Sequence, residues 1–159
     1  MFGLPRNVRP IRLSRRPEPF DSEEFLYELK IDRFRALAYI ENGLCDLVSR
    51  NGNTFHNFKD LAEWIGGNLP VENAVLDGEI ACVDDSGRSV FNDLLFRRRE
   101  CVFFAFDPPF LNGEDLRELP LVERKARLKR LLRRKRARNS MECESRWRSA
   151  YIGVESRPD

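Results

Sequence analysis

The decapeptide YELKIDRFRA, residues 27–36, places charged side chains at the spacing of a β-strand. Successive side chains of a strand point to opposite faces, so Glu28, Lys30 and Asp32 lie in a row on one face. A lysine amine can attack phosphorus if it is held in place and kept partly neutral. The two carboxylates alone would keep Lys30 protonated, so this chemistry also needs other cations, a metal and substrate phosphates nearby. A solvent-facing strand with paired charges explains the same pattern without catalysis.

The chain has 159 residues, of which 42% are hydrophobic and 12 are Phe, and this predicts one folded domain with a core. Charged residues make up 34% of the chain but the net charge is only +2, so their distribution matters more than their sum. Basic residues concentrate at both ends, in the first residues and in the run ERKARLKRLLRRKRAR. This layout favours an anionic partner such as nucleic acid, and a solvated charged surface explains it equally well.

The 4 Cys are far apart without a C-x-x-C pair, and with 1 His they offer no zinc-site spacing. Free thiols in a cytosolic protein are the simplest interpretation. The sequence has no long apolar run and no apolar core of a secretory signal at its start. We therefore expect a cytoplasmic protein with no membrane partner.

The spacing of apolar residues predicts the strands and helices that must position the charged residues of the lysine strand. Alternation predicts strands over residues 25–31 and 34–40, a hairpin turn at Asn42-Gly43, and a third strand in LCDLVSR. NFKDLAEWIGG has helical spacing, with Asn57 as its cap and Gly66-Gly67 as its stop. Further along, we predict a strand and turn in NAVLDGEIACVDDSG, a short helix in FNDLLFRRR, a strand in CVFFAFD, a loop in NGEDLRELP and a basic helix over about 121–135.

Three further short motifs follow the lysine strand in order: VSRNG at 48–52, LDGEI at 76–80 and FFAFD at 103–107. With the lysine motif, this series resembles the nucleotidyltransferase domain of ATP-dependent DNA ligases. The intervening segments are most similar to the ligases of bacterial end-joining systems. The resemblance covers about residues 17–136. Each motif alone is weak, whereas all of them in this order and spacing are specific.

The resemblance implies that Lys30 is the nucleophile that takes AMP from ATP as a phosphoramide. It places Glu28 at the adenine edge and gives Asp32 the task of orienting the lysine loop. Arg35 and Arg50 would hold the ribose and phosphate, whose oxygens suit the fork of a guanidinium group. A surface charge at the end of a hairpin explains Arg50 as well.

Two more site residues are implied by the same resemblance. Glu79 would bind the ribose or help to hold a divalent metal, Mg²⁺ or Mn²⁺, although a charge at a strand edge is the plainer explanation. Phe106 would stack on the adenine ring. Because Val102, Phe104 and Phe106 share one face of a strand, alternation alone places Phe106 in the core, and only the resemblance favours stacking.

The implied function is the sealing of 5′-phosphate/3′-hydroxyl nicks in DNA repair, with ATP as cofactor. Nicked double-stranded DNA would be the substrate and end-joining repair proteins the partners, in the cytoplasm of a bacterium at the nucleoid. The basic surface would supply phosphate contacts that weaken with salt.

The sequence departs from the family pattern in two ways. Arg33 stands where the family's first motif has glycine, a residue used where a ligand approaches the backbone closely. The aromatic motif is followed by Pro108 and Pro109, which should interrupt strand pairing. The later E-G-x-V-x-K motif, a further pair of lysines and an OB-fold domain are not found, and residues 137–159 look unrelated. We expect a truncated, frameshifted or degenerate gene.

The predicted fold is α+β, with antiparallel β-sheets and flanking helices, equivalent to part of a ligase-type, ATP-grasp-like nucleotidyltransferase domain. We expect a basic arm over residues 1–20, the adenylation region over 21–136 and an irregular tail over 137–159. Two other functions stay open: a catalytically degenerate remnant that binds nucleotide or DNA, and an RNA ligase or capping-type nucleotidyltransferase with the same lysine chemistry.

Overall fold

Five antiparallel strands form one sheet in the part of the chain that the structure, a computed structural model, describes: residues 4–10, 17–25, 34–82 and 101–136. The strands lie in the order β2-β1-β3-β4-β5. Their bounds are β1 Phe34–Glu41, β2 Leu44–Ser49, β3 Asn73–Cys82, β4 Cys101–Leu111 and β5 Glu114–Asp115. Two α-helices accompany them, α1 Lys59–Asn68 and α2 Leu121–Arg136. The predicted α+β class is confirmed.

The β1–β2 hairpin closes as predicted at Asn42 and Gly43, whose φ angles are 51° and 80°. Positive φ at both central positions suits the right-handed twist of the two strands. Asn112 and Gly113 repeat this geometry, with φ angles of 48° and 84°, and connect β4 to the short β5. The segment NGEDLRELP therefore contains a hairpin turn and a strand rather than only the predicted loop.

Helix α1 lies where periodicity predicts it, but both of its predicted ends are wrong. Asn57 lies in a 3₁₀ turn over His56–Phe58, and no side chain caps the helix. The helix runs through Gly66 and Gly67 to Asn68. A Cβ at Gly66 would lie 2.6 Å from the carbonyl oxygen of Gly43, so Gly66 allows the helix to approach the β1–β2 turn closely.

Both helices cover the same face of the sheet. Alternate residues of β1 bury Ala36, Ala38 and Ile40 in one core, together with Ile65 of α1 and Leu128 of α2. We call this side the helix-covered face. It contains most of the buried apolar residues, and it leaves the odd-numbered side chains of β1 on the opposite face.

The opposite face is covered at one end by the N-terminal segment. Leu4 and Val8 are buried there against Leu37 and Tyr39 of β1, with further contacts from the neighbouring strands. The Tyr39 hydroxyl lies 3.5 Å from the carbonyl oxygens of Arg6 and Val8. Burial raises the pKa of Tyr39. Within the predicted arm, residues 4–10 are therefore part of the packed structure.

Strand β4 continues through both prolines, although its pairing with β3 shifts there. Val75 pairs with Phe110, whereas Asp77 pairs with Asp107 and Gly78 with Ala105, so β4 has two extra residues in this interval. Such a bulge tolerates residues without an N–H donor. The predicted interruption of pairing is confirmed, and the strand nevertheless extends to Leu111.

Several predictions lie outside the described residues: most of the first strand with Lys30, the turn after β3, the helix in FNDLLFRRR, and the tail. Among the described cysteines, Cys45 is a free thiol and Cys101 is disulfide-bonded, so the prediction of free thiols is wrong for Cys101. Within the described ranges, no helix has the length and apolar character that a bilayer span requires.

Candidate functional site

A buried ion pair lies on the same face of the sheet as the N-terminal segment, near the start of β1. Arg35 donates from Nε and Nη2 to the two carboxylate oxygens of Asp77, at 2.8 Å each. The side chains are 12% and 2% exposed. The register explains the contact: β1 pairs Leu37 with Asp77 and Arg35 with Glu79, so Arg35 and Asp77 are diagonal neighbours on one face.

The guanidinium group of Arg35 also lies against Phe106. Its central carbon is 4.3 Å from the centroid of the Phe106 ring, a cation–π distance. Phe106 is only partly buried, whereas Phe104 and Val102 are buried with Ala81 in a small apolar cluster. Alternation alone predicts a core position for Phe106, whereas its ring is only partly buried and lies against the guanidinium group of Arg35.

Glu79 is directly opposite Arg35 on β3 and opposite Phe104 on its other side. It is partly buried and lies on the face that carries Arg35 and Asp77. The structure therefore brings together three of the predicted site residues, Arg35, Glu79 and Phe106, and adds Asp77. The sequence motif LDGEI contained Asp77, but nothing in its spacing indicated that it would hold Arg35.

Arg50 lies one residue beyond the end of β2, in an exposed turn. Ser49 pairs with Ala36, the residue next to Arg35, so Arg50 follows the strand at the edge of the same end of the sheet. Glu28, Lys30 and Asp32 belong to residues 26–33, outside the described part of the chain. Their predicted roles stay predictions.

Two cations of helix α2 contact Phe106 and the residue after it. Lys125 donates from Nζ to the Phe106 carbonyl oxygen at 2.8 Å, and Arg124 donates from Nε to Asp107 at 2.8 Å. Lys125 is 6% exposed. Sequence reasoning missed both residues because it treated the cations of this helix as surface. The signal was present, since Lys125 lies three residues before the buried Leu128 on the same helical stripe.

The residues around Arg35 and Phe106 offer few ligands for a divalent metal. In the described part of the chain, no group of three or more His, Cys, Asp or Glu side chains could hold a metal ion. Both carboxylate oxygens of Asp77 accept from Arg35, and Glu79 is the only metal ligand that the sequence predicts. The described residues do not by themselves form a site for Mg²⁺ or Mn²⁺.

Comparison with known proteins identifies the family of this chain. Residues 13–150 match the family described as ATP dependent DNA ligase domain. The multifunctional non-homologous end joining protein LigD of Pseudomonas aeruginosa is 37% identical over 114 residues, which are 69% of this chain and 14% of that protein. The chain belongs to the ATP-dependent DNA ligase domain family.

Two solved structures share the fold at identities above 25%. Mycobacterial DNA ligase D, complexed with ATP and MES, has a TM-score of 0.59 at 26% identity and matches 68% of this chain and 36% of that one. The ligase domain of LigD from M. tuberculosis has a TM-score of 0.54 at 28% identity, over 65% and 35% of the two chains. The chain thus spans about a third of these ligase structures and a smaller share of LigD.

Proposed function

We propose that this chain forms the lysine-adenylating part of an ATP-dependent DNA ligase, with Lys30 as the adenylated residue. One observation carries the proposal: Arg35, five residues after Lys30, is fixed by Asp77 on a polar sheet face beside the partly exposed ring of Phe106. A cation and an aromatic ring are the groups that a ribose phosphate and an adenine require.

The residues of this face have distinct tasks in the proposed reaction. Phe106 stacks on adenine through ring surface that Arg35 does not cover, and Glu28 accepts from the adenine amine. Arg35 and Arg50 hold ribose and phosphate oxygens, Glu79 accepts from a ribose hydroxyl, and Asp32 orients the lysine loop.

The chemistry proceeds in three displacements at phosphorus. The neutral amine of Lys30 forms a bond to the α-phosphorus of ATP and gives up a proton to solvent, and pyrophosphate leaves with the electron pair of the broken P–O bond. A 5′-phosphate oxygen of nicked DNA then bonds to the phosphorus of the AMP, the P–N bond breaks, and Lys30 takes up a proton from solvent and leaves as the amine. The 3′-hydroxyl finally attacks the 5′-phosphate, loses its proton and releases AMP. A divalent cation bound with the ATP would screen the phosphate charges.

The proposed substrate is nicked double-stranded DNA, and basic side chains of helix α2 support this choice. Lys129, Arg130 and Arg133 are exposed on that helix. Such cations neutralise DNA phosphates without reading the base sequence. Bacterial end-joining proteins are the proposed partners, in the cytoplasm at the nucleoid, because the P. aeruginosa relative is named for end joining.

The proposal is tested by incubating the purified chain with Mg²⁺ and α-labelled ATP and denaturing it before the label is counted. We expect wild type to retain the label, and Lys30→Ala and Lys30→Arg to lose it. Lys59→Ala is the matched control, because Lys59 is an exposed lysine of α1 paired with Glu63. Label that persists in Lys30→Ala refutes the assignment of Lys30.

A wild-type chain that binds ATP or DNA but retains no label would instead identify a noncatalytic remnant. If label does form, competition between ATP and GTP, followed by nicked DNA against nicked RNA, separates the DNA ligase from an RNA ligase or a capping-type enzyme.

A further inference from the structure

The bulge in β4 contains backbone groups that do not pair with β3. Six residues of β4, Ala105–Phe110, stand opposite the four residues Val75–Gly78 of β3. Extra residues in a bulge lose their ladder partners and let the strand bend. Phe106 has no partner on β3, because the register pairs Asp77 with Asp107 and Gly78 with Ala105 and leaves Phe106 between them. Its position consequently depends on contacts from outside the sheet.

Helix α2 supplies these contacts. The carbonyl oxygen of Phe106 accepts from Lys125, and the carboxylate of the next residue, Asp107, accepts from Arg124. Arg124 also donates from Nη1 to the carbonyl oxygen of Leu119 at 2.6 Å, which ties the start of the helix to the bulge. Two consecutive residues of the helix thus hold two consecutive residues of the strand.

The burial of these cations indicates that they are not ordinary surface charges. Lys125 is 6% exposed, and the Asp107 side chain is 4% exposed. Burial of a cation is costly unless it is paired and hydrogen-bonded. Both cations also lie near the N-terminus of α2, where the helix dipole disfavours positive charge. Stability of the helix therefore does not account for them, whereas fixation of the bulge does.

We propose that Arg124 and Lys125 are positioning residues for the base of the bound nucleotide. They fix the backbone of Phe106 from the helix-covered face, while Arg35 contacts its ring from the other face. The ring is thereby held at one place and angle before the nucleotide arrives, which lowers the ordering cost of stacking. This inference rests on the proposed nucleotide site.

The first experiment needs no nucleotide. Lys125→Met keeps most of the length of the side chain and removes its donor, and Lys129→Met, at an exposed lysine of the same helix, is the matched control. We expect amide hydrogen exchange of residues 105–111 to become about 10-fold faster in Lys125→Met, in keeping with the loss of one buried hydrogen bond. Exchange in β1 and in the control should not change. Unchanged exchange in the bulge refutes the fixation.

The second experiment separates a positioning role from a general structural one. Binding of ATP is compared with binding of inorganic tripolyphosphate, which has the phosphates without the base. We expect Lys125→Met to weaken ATP about 10-fold and to leave tripolyphosphate unchanged. In a Phe106→Leu background, Lys125→Met should cause no further loss. Equal weakening of both ligands, or full additivity with Phe106→Leu, overturns the inference.

Arg124→Lys serves as a second variant if Lys125→Met does not fold. It keeps a cation near Asp107 but has one donor group instead of a fork, so we expect the same loss of ATP affinity to a smaller degree. A wild-type chain that binds no ATP would refute the proposed function and the positioning of a base together. In that case the exchange experiment still decides whether helix α2 fixes the bulge.

Discussion

Arg35 and Asp77 form a two-point ion pair between neighbouring strands, and the same guanidinium group lies against the ring of Phe106. One side chain therefore links β1, β3 and the bulge of β4. The planar fork of arginine makes this possible, because it satisfies a carboxylate with its edge and offers its flat face to an aromatic ring. A lysine at position 35 could not make both contacts.

Loss of Asp77 should destabilise the fold strongly. Asp77→Ala leaves the guanidinium of Arg35 buried without its carboxylate, and breaking such a pair from one side costs about 3–5 kcal/mol. Asp115→Ala is the control, because Asp115 pairs with Arg117 where both side chains are about half exposed. An exposed pair contributes about 0–1 kcal/mol. Urea unfolding of both variants gives the comparison, and similar losses would contradict the buried role of Asp77.

Gly66 and Gly67 should respond in opposite directions to alanine. A Cβ at Gly66 would meet the Gly43 carbonyl oxygen at 2.6 Å, and backbone there has little room to move. Gly66→Ala should therefore destabilise by roughly 1–3 kcal/mol, as overpacking does. Gly67 has nothing within 4 Å of its Cβ position, so Gly67→Ala should stabilise the helix by about 0.5–1 kcal/mol. Thermal unfolding checks both, and the same sign in both variants would refute the close approach.

These two glycines also show where sequence reasoning reached its limit. Alternation and helical spacing predicted β1, β2, α1 and α2, since those patterns follow from each segment's own burial. A glycine pair at the end of a helical pattern looks like a stop signal, and only the tertiary contact with the β1–β2 turn distinguishes Gly66 from Gly67. The turn at Asn112-Gly113 was missed because its second strand, Glu114–Asp115, is too short to alternate.

Some residues of the candidate site were predicted from the sequence and others were not. Arg35, Glu79 and Phe106 were found through motif resemblance, and the register brings Arg35 and Glu79 together. Asp77 and Lys125 were not found, because their importance depends on a diagonal strand contact and on a bulge. Neither feature has a period in the sequence. A cation at a core position of an amphipathic helix is the one signal that could have revealed Lys125.

Cys45 should make stability fall with rising pH in the alkaline range. Burial and the neighbouring Asp46 raise the pKa of the Cys45 thiol from 9.0 to about 12. The folded state therefore favours the neutral thiol. The contribution of this thiol to the free energy of unfolding is fully present below pH 9 and is lost as pH rises from 9 toward 12. At pH 10 the loss should be about 1 kcal/mol.

The measurement compares urea unfolding at pH 7 and pH 10 in wild type and in Cys45→Ala. Other alkaline groups titrate in both proteins, so the difference between their pH dependences isolates Cys45. Wild type should lose more stability than the variant over this interval. Parallel pH dependences would show that the thiol ionises in the folded state as readily as in the unfolded one.

Helix α2 should carry much of the salt dependence of DNA binding in the proposed ligase. Lys129, Arg130 and Arg133 are exposed, and each phosphate contact contributes about 0.9 to the slope of log K against log salt concentration. The triple change to Gln should reduce that slope by up to about 3 and weaken binding equally for all base sequences. Fluorescence anisotropy with nicked duplexes over a range of KCl concentrations measures it. Lys59→Gln on α1 is the control for a single exposed cation, and an unchanged slope in the triple variant would place the DNA on another surface.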